Sequence, residues 1–446
     1  MTEVDLMLRF FVQVLVVLGF CKFIGWLGQR FLGQTQVVME MVAGVMLGPT
    51  LLGLYAPKFQ AWLFPLNATY VIDGVQKTAR HPSMFILYVA AQLGLVLYMF
   101  LVGIEFNVEI LMSKAKGALG VSLAGIAAPF ALGAGIAIFT REGWGLFASN
   151  ISTGTACLYF GAAMCITAFP MLARIIYERG IAGTAMGTLA LGAGAAGDAF
   201  AWGLLAVVLA FAHGTWTYAV YGIGGGVLFG FLMLRYASRV FARFAVTVER
   251  EGKMPQALFV TTMILLFAGA YYTDAIGIYA VFGAFIMGAA MPRGLFAEEL
   301  RRKLESVTVG VLLPFFFVYS GLSTRMGLID TPRLLLLALV VILAATIGKG
   351  VACAFAARAN GETWKESWAI GVLMNSRGLM ELIIVNIGLQ QGVITLRLYA
   401  IMVLMAIVTT LMASPIFKWI YTRYLGHLAE EALRHPGAPV LASELC

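Results

Sequence analysis

About thirteen stretches of roughly twenty residues follow one another along this chain with few or no charges, each long enough to cross the hydrocarbon layer of a bilayer as a helix. Their limits read 8–27, 36–54, 84–104, 117–140, 151–176, 183–211, 215–235, 256–272, 276–292, 306–327, 333–357, 365–390 and 396–422, with 36–54 and 276–292 short and rich in glycine. Hydrophobic residues make up 61% of the chain and charged residues 12%, so it cannot cover itself with polar surface as a soluble domain does. The expected fold class is therefore an all-α polytopic membrane protein. The net charge of +8 then belongs to loops facing an anionic leaflet rather than to a nucleic-acid surface. Glu3 and Asp5 precede the first run, where a secretory signal would carry basic residues, so this segment reads as a span and not a cleaved leader. Cys21, Cys157, Cys165, Cys353 and Cys446 show no CxxC spacing, and neither a disulfide nor a zinc site is inferred.

With thirteen spans the two ends of the chain lie on opposite sides. Of the 30 Lys and Arg residues, 20 fall on the side that holds the C-terminus, 8 on the other, and Lys349 and Arg377 within spans. That bias puts the C-terminus in the cytoplasm, for a multi-pass protein of the cell (inner) membrane. Residues 1–426 read as one membrane transport domain and 427–446 as a short polar tail, too small for a nucleotide-binding regulatory domain. Thirteen also divides as six, one and six: a first half at 8–211, a linker span at 215–235 and a second half at 256–422. An odd linker turns the second half over, which is the plan of an inverted repeat. The fifth span of each half is interrupted. In FGAAMCITAFPMLARIIYERG, Pro170 breaks the helix near Thr167, Ala168 and Phe169; in GVLMNSRGLMELIIVNIG, Asn375, Ser376, Arg377 and Gly378 fall mid-span. Interrupted spans at matching places point to a midplane binding site, the alternative being a proline kink and a small-residue packing patch.

Four ionisable groups lie well inside spans: Asp198, Lys349, Arg377 and Glu381. An unpaired charge at mid-bilayer costs about 2.5–3.5 kcal/mol on insertion scales, so each needs a reason to be there. Asp198 sits in LALGAGAAGDAFAWGLLA, where small residues let backbones approach closely. Burial favours the protonated acid and a nearby cation favours the carboxylate, so proton and cation compete for one group; a structural salt bridge is the other reading. Lys349 either pairs with Asp198 when no ion is bound or snorkels to an interface. Arg377 and Glu381 are four apart and form an ion pair, or Arg377 binds the free carbonyls of the unwound segment.

FGAAMCITAFPMLARIIYERG, GDAFAWGLLA and MNSRGLMELIIVNIG, with QVVMEMVAGVMLGPTLLG and EELRRKLESVTVGVLLPFFFVYSGLST, together resemble the monovalent cation:proton antiporters of the second cation:proton antiporter family. The likeness is to the plant cation/H+ exchangers and their bacterial relatives, and it covers the chain from about residue 30 to about 420. It implies thirteen spans in an inverted repeat, two interrupted helices that cross in a core domain, and a homodimer. Asp198 resembles the aspartate that binds cation and proton. Thr167 to Pro170 and Asn375 to Gly378 match the unwound crossings, with Thr167, Ala168, Asn375 and Ser376 as cation-site residues. Lys349 resembles the charge partner on the neighbouring span; Pro170, Gly197, Arg377, Gly378 and Glu381 are supporting. The chain departs from the pattern at Gly197, where plant-type exchangers carry Asn and electrogenic relatives a second Asp. One carboxylate instead of two implies an electroneutral exchange of H+ for Na+ or K+, with no cofactor. A K+ efflux system or channel of the same fold remains a second reading. An intramembrane aspartyl protease is a third, weakened because GAAGD lacks the second intramembrane aspartate such an enzyme needs and no HExxH or GxSxG is present.

Overall fold

The computed structural model describes residues 3–434 apart from 33, 35, 73–74, 106–114, 170–171, 173–174, 177–180, 182–183, 214–215, 278, 323, 325 and 378. In chain order, α1 (Glu3–Leu27) and α2 (Gln36–Leu47) carry the first two apolar runs. Two short helices, α3 (Leu52–Tyr55) and α4 (Pro57–Leu63), and a hairpin of β1 (Asn67–Ile72) and β2 (Val75–Arg80) lead to α5 (Pro82–Glu105). α6 (Ala115–Thr140), α7 (Thr153–Cys165) and α8 (Ala185–His213) complete the first half, and α9 (Trp216–Leu232) is the linker span. An amphipathic α10 (Ser238–Glu251) ends at Gly252, whose φ of 68° stops the helix. The second half is α11 (Gln256–Ala275), α12 (Ala280–Ala289), α13 (Leu295–Val307), α14 (Leu313–Leu322), α15 (Pro332–Ala359), α16 (Trp364–Met374), α17 (Leu379–Gln390) and α18 (Leu396–Arg434). Each expected span contains helix among its described residues, and among the described residues eight helices are long and apolar enough to cross a bilayer.

Three places differ from the sequence reading. The hairpin was not foreseen; Asp73-Gly74 between β-branched and polar-alternating runs is the sequence signal for it. The stretch 276–292 yields a helix of only 10 residues, because Gly277 and Tyr279 both take positive φ (86° and 78°) and hold the backbone out of helix before Ala280. The last helix runs on to Arg434, so the start of the segment read as a tail is helical; residues 435–446 lie outside the described residues.

The chain divides into two compact units, 1–106 with 213–327 and 107–212 with 328–446. Each sequence half is therefore split: its first three spans join one unit and its last three the other, and the linker span goes with the first. Within the first unit, α2 packs on α14 and α5 on α12. Both crossings are closed by glycines. A Cβ on Gly44 would lie 2.2 Å from the Phe317 carbonyl oxygen, and one on Gly288 would lie 2.1 Å from that of Phe100. In each crossing the second span of one half meets the third span of the other, the reciprocity that two related halves produce. In the second unit α6 packs on α7 and α15, α15 on α16, and α18 against α15, α16 and α17.

Candidate functional site

The site lies within the second unit and is built around two helix ends. α7 begins at Ser152, whose hydroxyl accepts the Thr155 amide N–H at 3.1 Å. It ends at Cys165; Ile166 is extended (φ −71°, ψ 141°). A proline at 170 forbids a helical carbonyl at Ile166, four residues earlier, which accounts for the break. α16 begins with a capping box of Thr363 and Glu366 and ends at Met374. The Asn375 and Ser376 amides turn back to Val372 and Leu373 (3.2 and 3.0 Å). The two broken segments then meet: the Ala168 amide donates to the Ser376 carbonyl at 3.0 Å. Thr167, Ala168, Asn375 and Ser376 are brought together at this crossing, all buried. Pro170 and Gly378 lie outside the described residues.

A helix that stops inside a membrane leaves its last carbonyls without donors and concentrates negative partial charge there. Lys349 and Arg377 answer both needs. The Lys349 ammonium, on α15, donates to the Cys165 carbonyl, and Arg377 Nη2 donates to that of Met164 at 2.6 Å. Arg377 Nη1 also pairs with Glu381 at 3.4 Å, and Thr410 Oγ1 donates to the Arg377 carbonyl at 2.6 Å. Arg377 thus makes the ion pair, while its carbonyl contact goes to the end of α7, the other broken span, and not to its own unwound segment. Lys349 is 1% exposed, so it does not snorkel. Nor is it ion-paired with Asp198 among the described residues; a carbonyl at the helix end accepts its hydrogen bond instead. Tyr159 of α7 donates to the Ile384 carbonyl of α17 at 2.9 Å and holds the two broken spans together. A Cβ on Gly388 would lie 2.1 Å from that hydroxyl, which makes the glycine necessary.

Asp198 is near the middle of α8 and 1% exposed. Neither carboxylate oxygen has a hydrogen-bond donor among the described residues. Asn375 Oδ1 is likewise buried without a donor among the described residues. Such oxygens are costly to bury unless something binds them. The same holds for Ser122 on α6, which sequence reasoning passed over: its Oγ is buried, has no partner among the described residues, and lies 3.4 Å from where a Cβ on Gly197 would stand. Tyr159 and Thr410 were missed as well, since nothing in an apolar run marks which hydroxyl reaches a neighbouring helix. Around the crossing, among the described residues, Lys349 and Arg377 are engaged with backbone carbonyls, Arg377 and Glu381 form an ion pair, and the Asp198 carboxylate has no donor.

The model of the sodium/hydrogen exchanger transmembrane family matches residues 13–423. The Na+/H+ antiporter NhaS4 of Synechocystis is 36% identical over 94% of this chain and 98% of its own length. Cation/H+ antiporter 17 of Arabidopsis thaliana is 35% identical over 92% of this chain but 48% of its own, so the chain spans about half of that plant relative. Among solved structures, the sodium proton antiporter MjNhaP1 of Methanocaldococcus jannaschii has the same fold, with a TM-score of 0.63 at 14% identity over 98% of this chain and 99% of that one.

Proposed function

The chain belongs to the sodium/hydrogen exchanger family of cation:proton antiporters, and on that premise we propose that it exchanges a monovalent cation, Na+ or K+, for H+ through the single carboxylate of Asp198. The observation that carries this reading is the Asp198 carboxylate itself, buried in a membrane helix with no protein donor on either oxygen among the described residues. Protonated, it is neutral and tolerates burial; deprotonated, it needs a cation close by. Proton and cation are then alternatives at one group, which is the coupling an antiporter requires. The oxygens at the crossing, from Thr167, Ala168, Asn375 and Ser376, complete the cation site. Lys349 and Arg377 keep their charges on the Cys165 and Met164 carbonyls, respectively, throughout and hold the crossing in shape. Each form of the carrier then has the same net charge, and one cation moves for each proton. The protein acts as a homodimer in the inner membrane, with its C-terminus in the cytoplasm.

An electroneutral cycle is insensitive to voltage, whereas one uncompensated charge would feel about 2.3 kcal/mol per 100 mV. The test is Na+-driven proton movement in proteoliposomes with the membrane potential clamped by K+ and valinomycin. Rates and end points are expected to be the same at every clamped potential. An end point that shifts with potential would contradict the one-for-one cycle. Uphill Na+ movement that survives collapse of the proton gradient would contradict antiport altogether and favour a channel-like or differently driven carrier.

A further inference from the structure

We propose that the Ser122 hydroxyl is a ligand of the transported cation and sets which cation the site prefers; the inference rests on Asp198 being the exchange site. Hydroxyls inside membrane helices usually bond to a carbonyl of the preceding turn. Thr140, Thr346 and Thr409 do so here, to Ile136, Ile342 and Met405, each at 2.8 Å. Ser122 does not. Its Oγ has no partner among the described residues, although the residue is 1% exposed.

The direction in which that hydroxyl points is fixed by what surrounds α6. The Val121 carbonyl accepts from Cys353 Sγ at 3.7 Å, and a Cβ on Gly125 would lie 2.5 Å from the same sulfur. Cys353 is one turn beyond Lys349, so this face of α6 is fitted against the helix that carries the lysine. The other face meets α8. A Cβ on Gly117 would lie 3.2 Å from Leu189, and a Cβ on Gly197 would lie 3.4 Å from Ser122 Oγ, the one atom from another element it would meet within 4 Å among the described residues. Ser122 therefore presents an unengaged oxygen to the backbone of α8 at the residue before Asp198, whose Cα follows about 3.8 Å along the chain.

Gly197 has no side chain to receive that hydroxyl or to compete with it. The neighbouring carboxylate also lacks a donor on both oxygens among the described residues. Partnerless oxygens on two neighbouring helices, one on Asp198 and one against the residue before it, suit a desolvated monovalent cation, which takes oxygen ligands in place of its water. A hydroxyl is neutral and keeps its proton, so Ser122 adds a ligand without altering the charge balance of exchange. Number and placement of such oxygens discriminate between cations of different radius.

The test is cation-driven proton flux in proteoliposomes with Na+, Li+, K+ and Rb+ in turn. Ser122→Ala is expected to raise the apparent KM for the favoured cation by about tenfold, the effect of losing one good polar contact to a charge. The maximal rate should fall less than KM rises, and the order or spacing of the four cations should change. Ser122→Thr should keep the wild-type pattern, and Ser122→Cys, of nearly unchanged volume but with sulfur for oxygen, should behave like Ser122→Ala. Ser122→Ala combined with Gly197→Ser should recover part of the lost affinity from the opposite helix. Unchanged KM and cation order in both Ser122→Ala and Ser122→Cys would overturn the proposal, as would a fall in melting temperature and maximal rate with the cation ratios intact. Asp198→Asn separates the two levels. If it still exchanges, the parent reading fails; if it is inert while Ser122→Ala and Ser122→Cys match wild type, Ser122 alone is wrong.

Discussion

The Lys349 ammonium and the Arg377 guanidinium sit at the negative end of α7, where two carbonyls would otherwise be left bare in a membrane interior. Lys349→Met removes the donor and leaves the Cys165 carbonyl unsatisfied, at a cost of about 1–3 kcal/mol. A lower melting temperature in detergent is expected, with Lys349→Arg closer to wild type; equal melting of Lys349→Met and wild type would contradict the capping role. A second residue-scale prediction concerns His81, just before α5. Its Nδ1 accepts the Ser83 amide at 3.2 Å and contacts the Ser83 hydroxyl at 2.8 Å, so the neutral ring caps the helix. Burial first, and then the positive charge of Arg9, hold its pKa below the ordinary value of 6.5. The unfolded chain therefore takes up the proton first: this contribution to stability is complete above about pH 6.5 and is lost as pH falls toward the folded value. Melting measured from pH 8 to pH 5 should show a fall that is smaller in His81→Gln, and an identical fall would remove His81 as the cause. The four intramembrane charges could be read from sequence because charges are rare there. Their partners could not, since spacing along one helix does not say which neighbouring carbonyl a long side chain reaches.

At the scale of elements, breaks were more legible than contacts. Pro170 and the Asn375 to Gly378 run announced the two interrupted helices, and the Ala168 to Ser376 hydrogen bond joins them as a crossing. The reason is that a helix break is written locally, in residues that cannot keep the backbone bond. Helix pairing is not local. Nothing around Gly288 says that it lies against Phe100, yet a Cβ there would come within 2.1 Å of that carbonyl oxygen, and no rotamer can relieve a clash with backbone. Gly288→Val should push α5 from α12 and destabilise the first unit by about 1–3 kcal/mol or more. Gly19→Val, with nothing within 4 Å of its Cβ position, is the matched control and should melt near wild type. Equal melting of the two variants would contradict the close crossing. Ser122 was illegible for the same reason: in GALGVSLAGIAAP a lone serine reads as helix packing, and only its position opposite Gly197 gives it meaning.

For the whole molecule, apolar length and the count of spans set the fold class, because lipid as solvent leaves helices as the economical way to satisfy the backbone. The sequence halves do not coincide with the spatial units: residues 1–106 with 213–327 and 107–212 with 328–446 each combine three spans from either half. All four intramembrane charges fall in the second unit, and there the cations and Glu381 are engaged while the Asp198 carboxylate has no donor among the described residues. The central claim is that this one carboxylate is where proton and cation exchange. Its most direct test is Na+-driven proton movement in proteoliposomes carrying equal amounts of wild type and Asp198→Asn, each first shown to elute and melt alike in detergent. The asparagine keeps size and polarity but can neither release a proton nor balance a cation, so flux at the level of empty liposomes is predicted. Exchange by Asp198→Asn above about a tenth of the wild-type rate, a loss of less than about 1.4 kcal/mol in transition-state terms, would contradict the assignment.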